Sequence, residues 1–163
     1  MYVSINDIKN WIHSNKKYNL MVFAPRNSGK TTLASKTLPD YLLELFPKSR
    51  ICYLTKHQLV AKKLEKEFRY NGSNRIKFSF VGDPCNGQRF DYIIMDDLGT
   101  DHENNFKLWS WYMEIVLTRL APGGKQFYIG TSYNNDIYDN DLPNMIFYYQ
   151  LPNWDYKIIN KVN

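Results

Sequence analysis

The chain has 163 residues, enough for a single core, with 21 Lys+Arg against 16 Asp+Glu and a net charge of +5. No apolar stretch approaches a membrane span, the N-terminus has no apolar signal-peptide core, and two cysteines without a Cys-x-x-Cys argue against a disulfide framework or a zinc site. The basic excess permits contact with phosphates or nucleic acid without requiring it, and two reduced thiols fit a cytosolic compartment.

In chain order, Ile5, Ile8 and Ile12 have helical spacing over Ser4 to Ile12, with Ser4 as a cap and Asp7 three residues on. "YNLMVFA" (18–24) reads as a buried strand. Thr31 to Phe46 is helical, with Pro39 expected to kink or restart it. "RICYLT" (50–55) is a strand, and Gln58 to Tyr70 is a basic amphipathic helix with Leu59, Leu64 and Phe68 on one side. "IKFSFV" alternates like a half-exposed strand, and "GDPCNG" is a turn. "DYIIMDD" is a strand ending in acids, Asn105 to Leu120 is a helix, and "PGG" turns the chain into the strand "KQFYIGT". "WDYKIIN" closes the series. Strands alternate with helices, and several strands are continuously apolar. The expected fold is therefore α/β, a mainly parallel central sheet flanked by helices on both faces, forming one domain over residues 1–163. Ligands in such sheets sit beyond the carboxyl ends of the strands.

Three motifs fall at those ends. "MVFAPRNSGKTTL" runs from a strand through a turn into a helix. A loop of this kind turns backbone N–H groups around phosphate oxygens, the helix start adds its dipole, a Lys reaches the β/γ phosphates and a hydroxyl ligates Mg²⁺. Ala24 stands where the first glycine of Gly-x-x-x-x-Gly-Lys-[Ser/Thr] is usual, so the turn is expected to differ or to be shaped by Pro25. Ala24, Pro25, Arg26, Asn27, Ser28, Gly29, Lys30, Thr31 and Thr32 form the candidate nucleotide-binding segment, with Lys30 catalytic. In "YIIMDDLG", Asp96 is placed to hold Mg²⁺ opposite Thr31, and Asp97 to act as the general base on the attacking water. In "QFYIGTSYNNDI", Thr131 and Ser132 can bond the γ-phosphate or the water and report hydrolysis.

"PRNSGKT", "RFDYIIMDD", "KQFYIGTSYNNDIYDNDL" and "NWDYKIIN" stand in an order that resembles the ATPase domain of viral large-terminase, genome-packaging motors. The resemblance covers most of the chain and rests on the order of short motifs. It implies a P-loop NTPase of the additional-strand (ASCE) type that hydrolyses ATP with Mg²⁺ and drives double-stranded DNA into a procapsid. The implied partners are a viral portal and further copies in a homo-oligomeric ring, expected to be pentameric, with no membrane, in the host cytoplasm. It makes Arg26 a γ-phosphate or coupling residue and Thr131 a coupling residue leading to Asp141-Leu142. The chain departs from the family at Ala24, at Asp97 where a Glu is usual, and in having no nuclease segment after the ATPase; it is read as the N-terminal part of a longer motor or a motor that needs no cutting. Asp101 or Glu103 could assist the shorter Asp97.

Arg119 and Lys125 flank the turn before "QFYIG" and are either fingers into a neighbouring subunit's nucleotide or plain surface charges. Arg89 could pair with Asp91, the lysines of "KHQLVAKKLEKEFR" read as a solvated face, His57 as a cap-region residue, and Tyr18 or Trp11 as adenine-stacking candidates. Another P-loop DNA translocase or helicase loader, or a small nucleotide kinase, remains open; a kinase would need a basic lid, which "LGTDHENN" does not offer.

Overall fold

The computed structural model describes residues 3–14, 19–68, 75–85, 87–98, 105–134, 136–137 and 140–159. Strand β1 (Asn19–Ala24) is followed by β2 (Ile51–Thr55), β3 (Ile76–Phe80), β4 (Phe90–Asp96), β5 (Leu120–Thr131) and β6 (Trp154–Ile158). They form one sheet in the order β3-β2-β4-β5-β1-β6, and every strand pairing in it is parallel.

Alternate residues of the inner strands face opposite ways, and each set builds its own core. Leu20, Val22, Ile51, Tyr53, Ile94, Phe127 and Ile129 lie on one face, under α1 (Asn6–Ser14), α3 (Leu38–Leu45) and α4 (Gln58–Phe68). Met21, Phe23, Cys52, Leu54, Ile93, Met95 and Tyr128 lie on the other, under α5 (Asn105–Trp111) and α6 (Asp141–Tyr148). The helices therefore cover both faces, as the continuously apolar strands require. At the edge, Ile76 and Phe78 of β3 are half-buried against the first core, as a half-exposed strand requires, while its one fully buried residue is the polar Ser79.

Local chemistry sets the element ends. Asp7 accepts the Ser4 backbone N–H at 2.7 Å, closing the start of α1 as the Ser-x-x-Asp spacing predicts. The helical run after β1 begins as α2 (Lys30–Thr32), passes through a π-helical turn (Leu33–Thr37) and continues as α3. Pro39 sits in the first turn of α3. Proline has no N–H and its ring crowds the carbonyl four residues back, here Ser35, and the wider π-helical turn lies where that conflict falls. Thr131 and Ala24 end their strands side by side.

Two expected boundaries are corrected. The helix before β5 stops at Arg119, after a π-helical turn (Tyr112–Val116) and a short 3-10 turn (Leu117–Arg119), and Leu120 already pairs with Phe90. The Pro-Gly-Gly segment is not a turn outside the strand but a bulge within β5. Phe90 pairs with Leu120 and Tyr92 with Lys125, so Ala121 to Gly124 stand opposite Asp91 alone. A Cβ at Gly124 would lie 2.9 Å from the carbonyl oxygens of both Ala121 and Asp91, which explains the glycine there.

Candidate functional site

The carboxyl ends of β1, β5 and β4 open onto a cleft of about 770 Å³ lined by the loop from Arg26 to Thr32 and by Asp96, Asp97, Thr131, Tyr133 and Asp136. The three sequence motifs therefore meet at one edge of the sheet, brought there by the parallel register of the three strands.

The loop after β1 is built from its own side chains. Ser28 Oγ donates to the Pro25 carbonyl at 2.5 Å, and Lys30 Nζ donates to the same oxygen at 2.7 Å. Val3 N–H donates to the Ser28 carbonyl at 2.8 Å, so the N-terminal segment braces the loop from outside. Left-handed backbone occurs at Asn27 (φ 57°) and Gly29 (φ 79°), the two residue types that adopt it most readily. Ala24 is absent from that set: it is fully buried, faces the first core and remains in the ladder opposite Thr131. The alanine is accommodated because the turn starts after it. Alternating left-handed residues at a helix start turn N–H groups into a concavity suited to an anion.

Asp96 is the buried end of β4. Tyr53 Oη donates to its Oδ2 at 2.5 Å, and the Thr31 hydroxyl is also hydrogen-bonded to the carboxylate. Burial pushes the Asp96 carboxyl up to about 6, and the charge of Asp97 adds to this; Tyr53, Thr31 and the Lys30 ammonium oppose it. The Tyr53 phenol is pushed up in turn, first by burial and then by the Asp96 charge. Thr31 and Asp96 thus place a hydroxyl and a carboxylate together, the oxygen donors that a hard cation takes alongside phosphate oxygens. Among the described residues no cluster of three or more His, Cys, Asp or Glu forms a metal cage, so such a cation would rely on oxygens beyond the protein's.

Asp97 follows at φ 51°. Its N–H continues the ladder to the Ile129 carbonyl at 2.8 Å, and the left-handed turn brings its carboxylate to the Thr131 hydroxyl, which donates to Oδ2 at 2.9 Å. Tyr128 Oη holds the next turn by donating to the Leu98 carbonyl at 2.9 Å. Ser132 is buried, with its N–H on the Ala24 carbonyl at 2.9 Å.

Other expected residues lie elsewhere. Arg26 is exposed at the cleft, but Arg119 precedes β5 and donates to the Pro84 carbonyl at 3.3 and 3.4 Å. It lies at the amino edge of the sheet. From Lys125 to Thr131, six steps along the strand at about 3.3 Å each span roughly 20 Å, so neither Arg119 nor Lys125 joins the cleft of its own chain. Asp91 accepts the Arg50 backbone N–H at 2.9 Å. Trp11 packs edge-on against Phe127 and donates to Asp155 at 3.1 Å, so it serves the first core and does not line the cleft. His57 is exposed and its carbonyl caps α4 through Ala61 N–H, as expected. Lys62, Lys63 and Lys66 form a solvated helix face. Tyr18, Asp101 and Glu103 lie outside the described residues.

Sequence reasoning missed Tyr53, Tyr133, Asp136 and Asn140. Tyr53 reads as one more apolar strand residue; only the register Thr55↔Asp96 shows that it reaches the acid. Tyr133 and Asp136 close a small antiparallel bridge at the mouth of the cleft.

No family model matches the chain, and no curated protein matches it at a significant level. Among solved structures it is similar to the Hef helicase domain of Pyrococcus furiosus, with a TM-score of 0.55 and 12% identity over 97% of this chain and 40% of that one. A second, the C-terminal domain of a possible DNA helicase from Lactobacillus plantarum WCFS1, has a TM-score of 0.45 and 12% identity over 96% of this chain and 98% of that one. The first likeness shows a shared α/β fold, of which this chain spans about 40% of the helicase domain's length.

Proposed function

We propose that this chain is a P-loop ATPase of the additional-strand (ASCE) type that couples Mg²⁺-dependent hydrolysis to movement of double-stranded DNA, as the motor of viral genome packaging. The observation that carries the reading is the meeting of Lys30-Thr31, Asp96-Asp97 and Thr131 in one cleft at the carboxyl edge of the sheet. The position of β5 between β1 and β4 supports the additional-strand type. Thr31 and Asp96 would hold Mg²⁺, which supplies charge neutralisation to the phosphates. The loop from Asn27 to Thr31 binds the phosphate chain through its N–H groups, and Lys30 exchanges the Pro25 carbonyl for phosphate oxygens. Asp97 is the acceptor for the proton of the attacking water, and Thr131, which already holds its carboxylate, orients it. Arg26 stands where it can neutralise the terminal phosphate. The order of the motifs favours a packaging motor, with a portal and a homo-oligomeric ring as partners.

The fold shared with the Hef helicase domain favours a second reading, a helicase-type translocase. Phosphate release measured with and without duplex DNA, beside a strand-displacement assay, separates the two. Duplex-stimulated release without displacement supports the packaging motor, and displacement supports the helicase type. Phosphate release that is absent, or that is undiminished in Lys30→Ala, overturns both.

A further inference from the structure

We infer that Asn140 is a positioning residue for the Thr131–Asp97 pair, setting the hydrolytic step without touching the nucleotide; this rests on the cleft being the ATPase site proposed above. Asn140 is the residue at the head of α6, where an asparagine ordinarily caps its own helix by accepting an N–H from the first turn. Here it makes no such cap bond, with φ −100° and ψ 87°. Its side chain, 1% exposed, points back at the end of β5. Nδ2 donates to the Thr131 carbonyl at 2.6 Å and to the Ile137 carbonyl at 3.0 Å, and Oδ1 accepts the Thr131 N–H at 3.3 Å.

One amide therefore satisfies both backbone groups of Thr131, as a neighbouring strand would, and both of its donors are used. The arrangement has a cost in sequence. Gly130 has ordinary negative φ, so backbone freedom does not call for a glycine. A Cβ there would overlap Asn140 Oδ1 and come within 2.7 Å of the Tyr128 ring and 3.0 Å of the Phe23 ring. The glycine is there for close approach, and the Asn140 amide is the nearest of the three groups that approach it. Thr131 Oγ1 then donates to Asp97 Oδ2 at 2.9 Å. Asn140, Thr131 and Asp97 form an unbroken chain from the buried head of α6 to the candidate base. Displacing a reacting group by about 1 Å costs on the order of 100-fold in rate.

Three substitutions test this. Asn140→Asp keeps an acceptor for Thr131 N–H but sets a second acceptor against two carbonyls. Gly130→Ala crowds the amide, and the Tyr128 and Phe23 rings with it. Asn144→Ala removes a 3.4 Å bond to the same Ile137 carbonyl without touching Thr131, and serves as the control for damage to α6. In hydrolysis of ATP with Mg²⁺, Asn140→Asp and Gly130→Ala are expected to lower kcat by about 10- to 100-fold with KM within about threefold, since the Asn27–Thr31 loop is unaltered; Asn144→Ala keeps kcat. The double variant Asn140→Ala/Thr131→Val should fall no lower than Thr131→Val, because the two act in series. An unchanged kcat, a matching loss in Asn144→Ala, or multiplying losses in the double variant overturns the inference. If the wild type releases no phosphate, the ATPase reading fails, and the link is judged by hydrogen exchange alone. Faster exchange at the Thr131 and Asp97 amides in Asn140→Asp than in Asn144→Ala supports the link, and equal protection overturns it.

Discussion

Asp96 is held in a state that costs stability. A carboxyl whose folded pKa is raised to about 6, against an unfolded value of about 3.9, binds its proton more readily when folded. Its ionisation therefore destabilises the fold fully above pH 6, and the penalty fades as pH falls toward 4. Asp96→Asn should raise unfolding stability at pH 7.5 by up to about 3 kcal/mol, with the gain shrinking at pH 5; denaturant titrations at the two pH values read it. The same variant should weaken Mg²⁺–nucleotide binding, the pattern expected where a site's function opposes stability. Lys30 supplies a second residue-scale test. A ligand at 100 times its Kd stabilises by about 2.7 kcal/mol, which in a domain of this size is a rise of roughly 5–10 °C in Tm. ATP with Mg²⁺ should give such a shift in the wild type and none in Lys30→Ala. Asp97→Asn should keep the shift and slow hydrolysis; full activity in that variant would move the base elsewhere.

At the scale of elements, β5 is the most constrained piece. It spans the whole sheet, takes ladder bonds from β4 and β1 on its two sides, and still carries a four-residue bulge near its start. Gly124 is held between backbone oxygens that cannot move aside, whereas nothing lies within 4 Å of a Cβ at Gly123, whose φ is 76°. Gly124→Ala should therefore cost about 1–3 kcal/mol. Gly123→Asn, which adopts left-handed backbone readily, should cost no more than about 0.5 kcal/mol. Chemical denaturation of the two variants gives the comparison; equal losses would show that the bulge is not pinned at Gly124.

For the whole molecule, the parallel register separates the two ends of the sheet. Arg26 sits at the cleft, while Arg119 and Lys125 sit at the amino edge. On the packaging reading, any positive charge that Arg119 brings to a nucleotide must come from a neighbouring copy. Fingers supplied in trans are worth about 10³–10⁵ in rate where they act. Specific activity should then rise with protein concentration, and mixing Lys30→Ala chains with Arg119→Ala chains should restore activity that neither has alone. Flat activity per chain across the range of assembly, with the mixture inactive, would leave Arg26 within the chain as the remaining cation.

Much of this was readable in the amino-acid order because it depends on neighbours. Continuous apolar runs announce strands covered on two faces, Ser4 and Asp7 announce a helix start, and Gly29-Lys30-Thr31 announces a turn from a strand into a helix. Local reading placed the acids at the end of β4 for the same reason. It misjudged Pro-Gly-Gly, because whether those residues turn the chain or bulge from a strand depends on what lies beside them, here Asp91. The partners within the cleft belong to the fold alone. Tyr53 meets Asp96 across 43 positions, Thr131 meets Asp97 across 34, and Asn140 gives up its own helix cap to hold Thr131. No local periodicity encodes such pairings. They follow from strand order and register, which are set only when both faces of the sheet are packed at once.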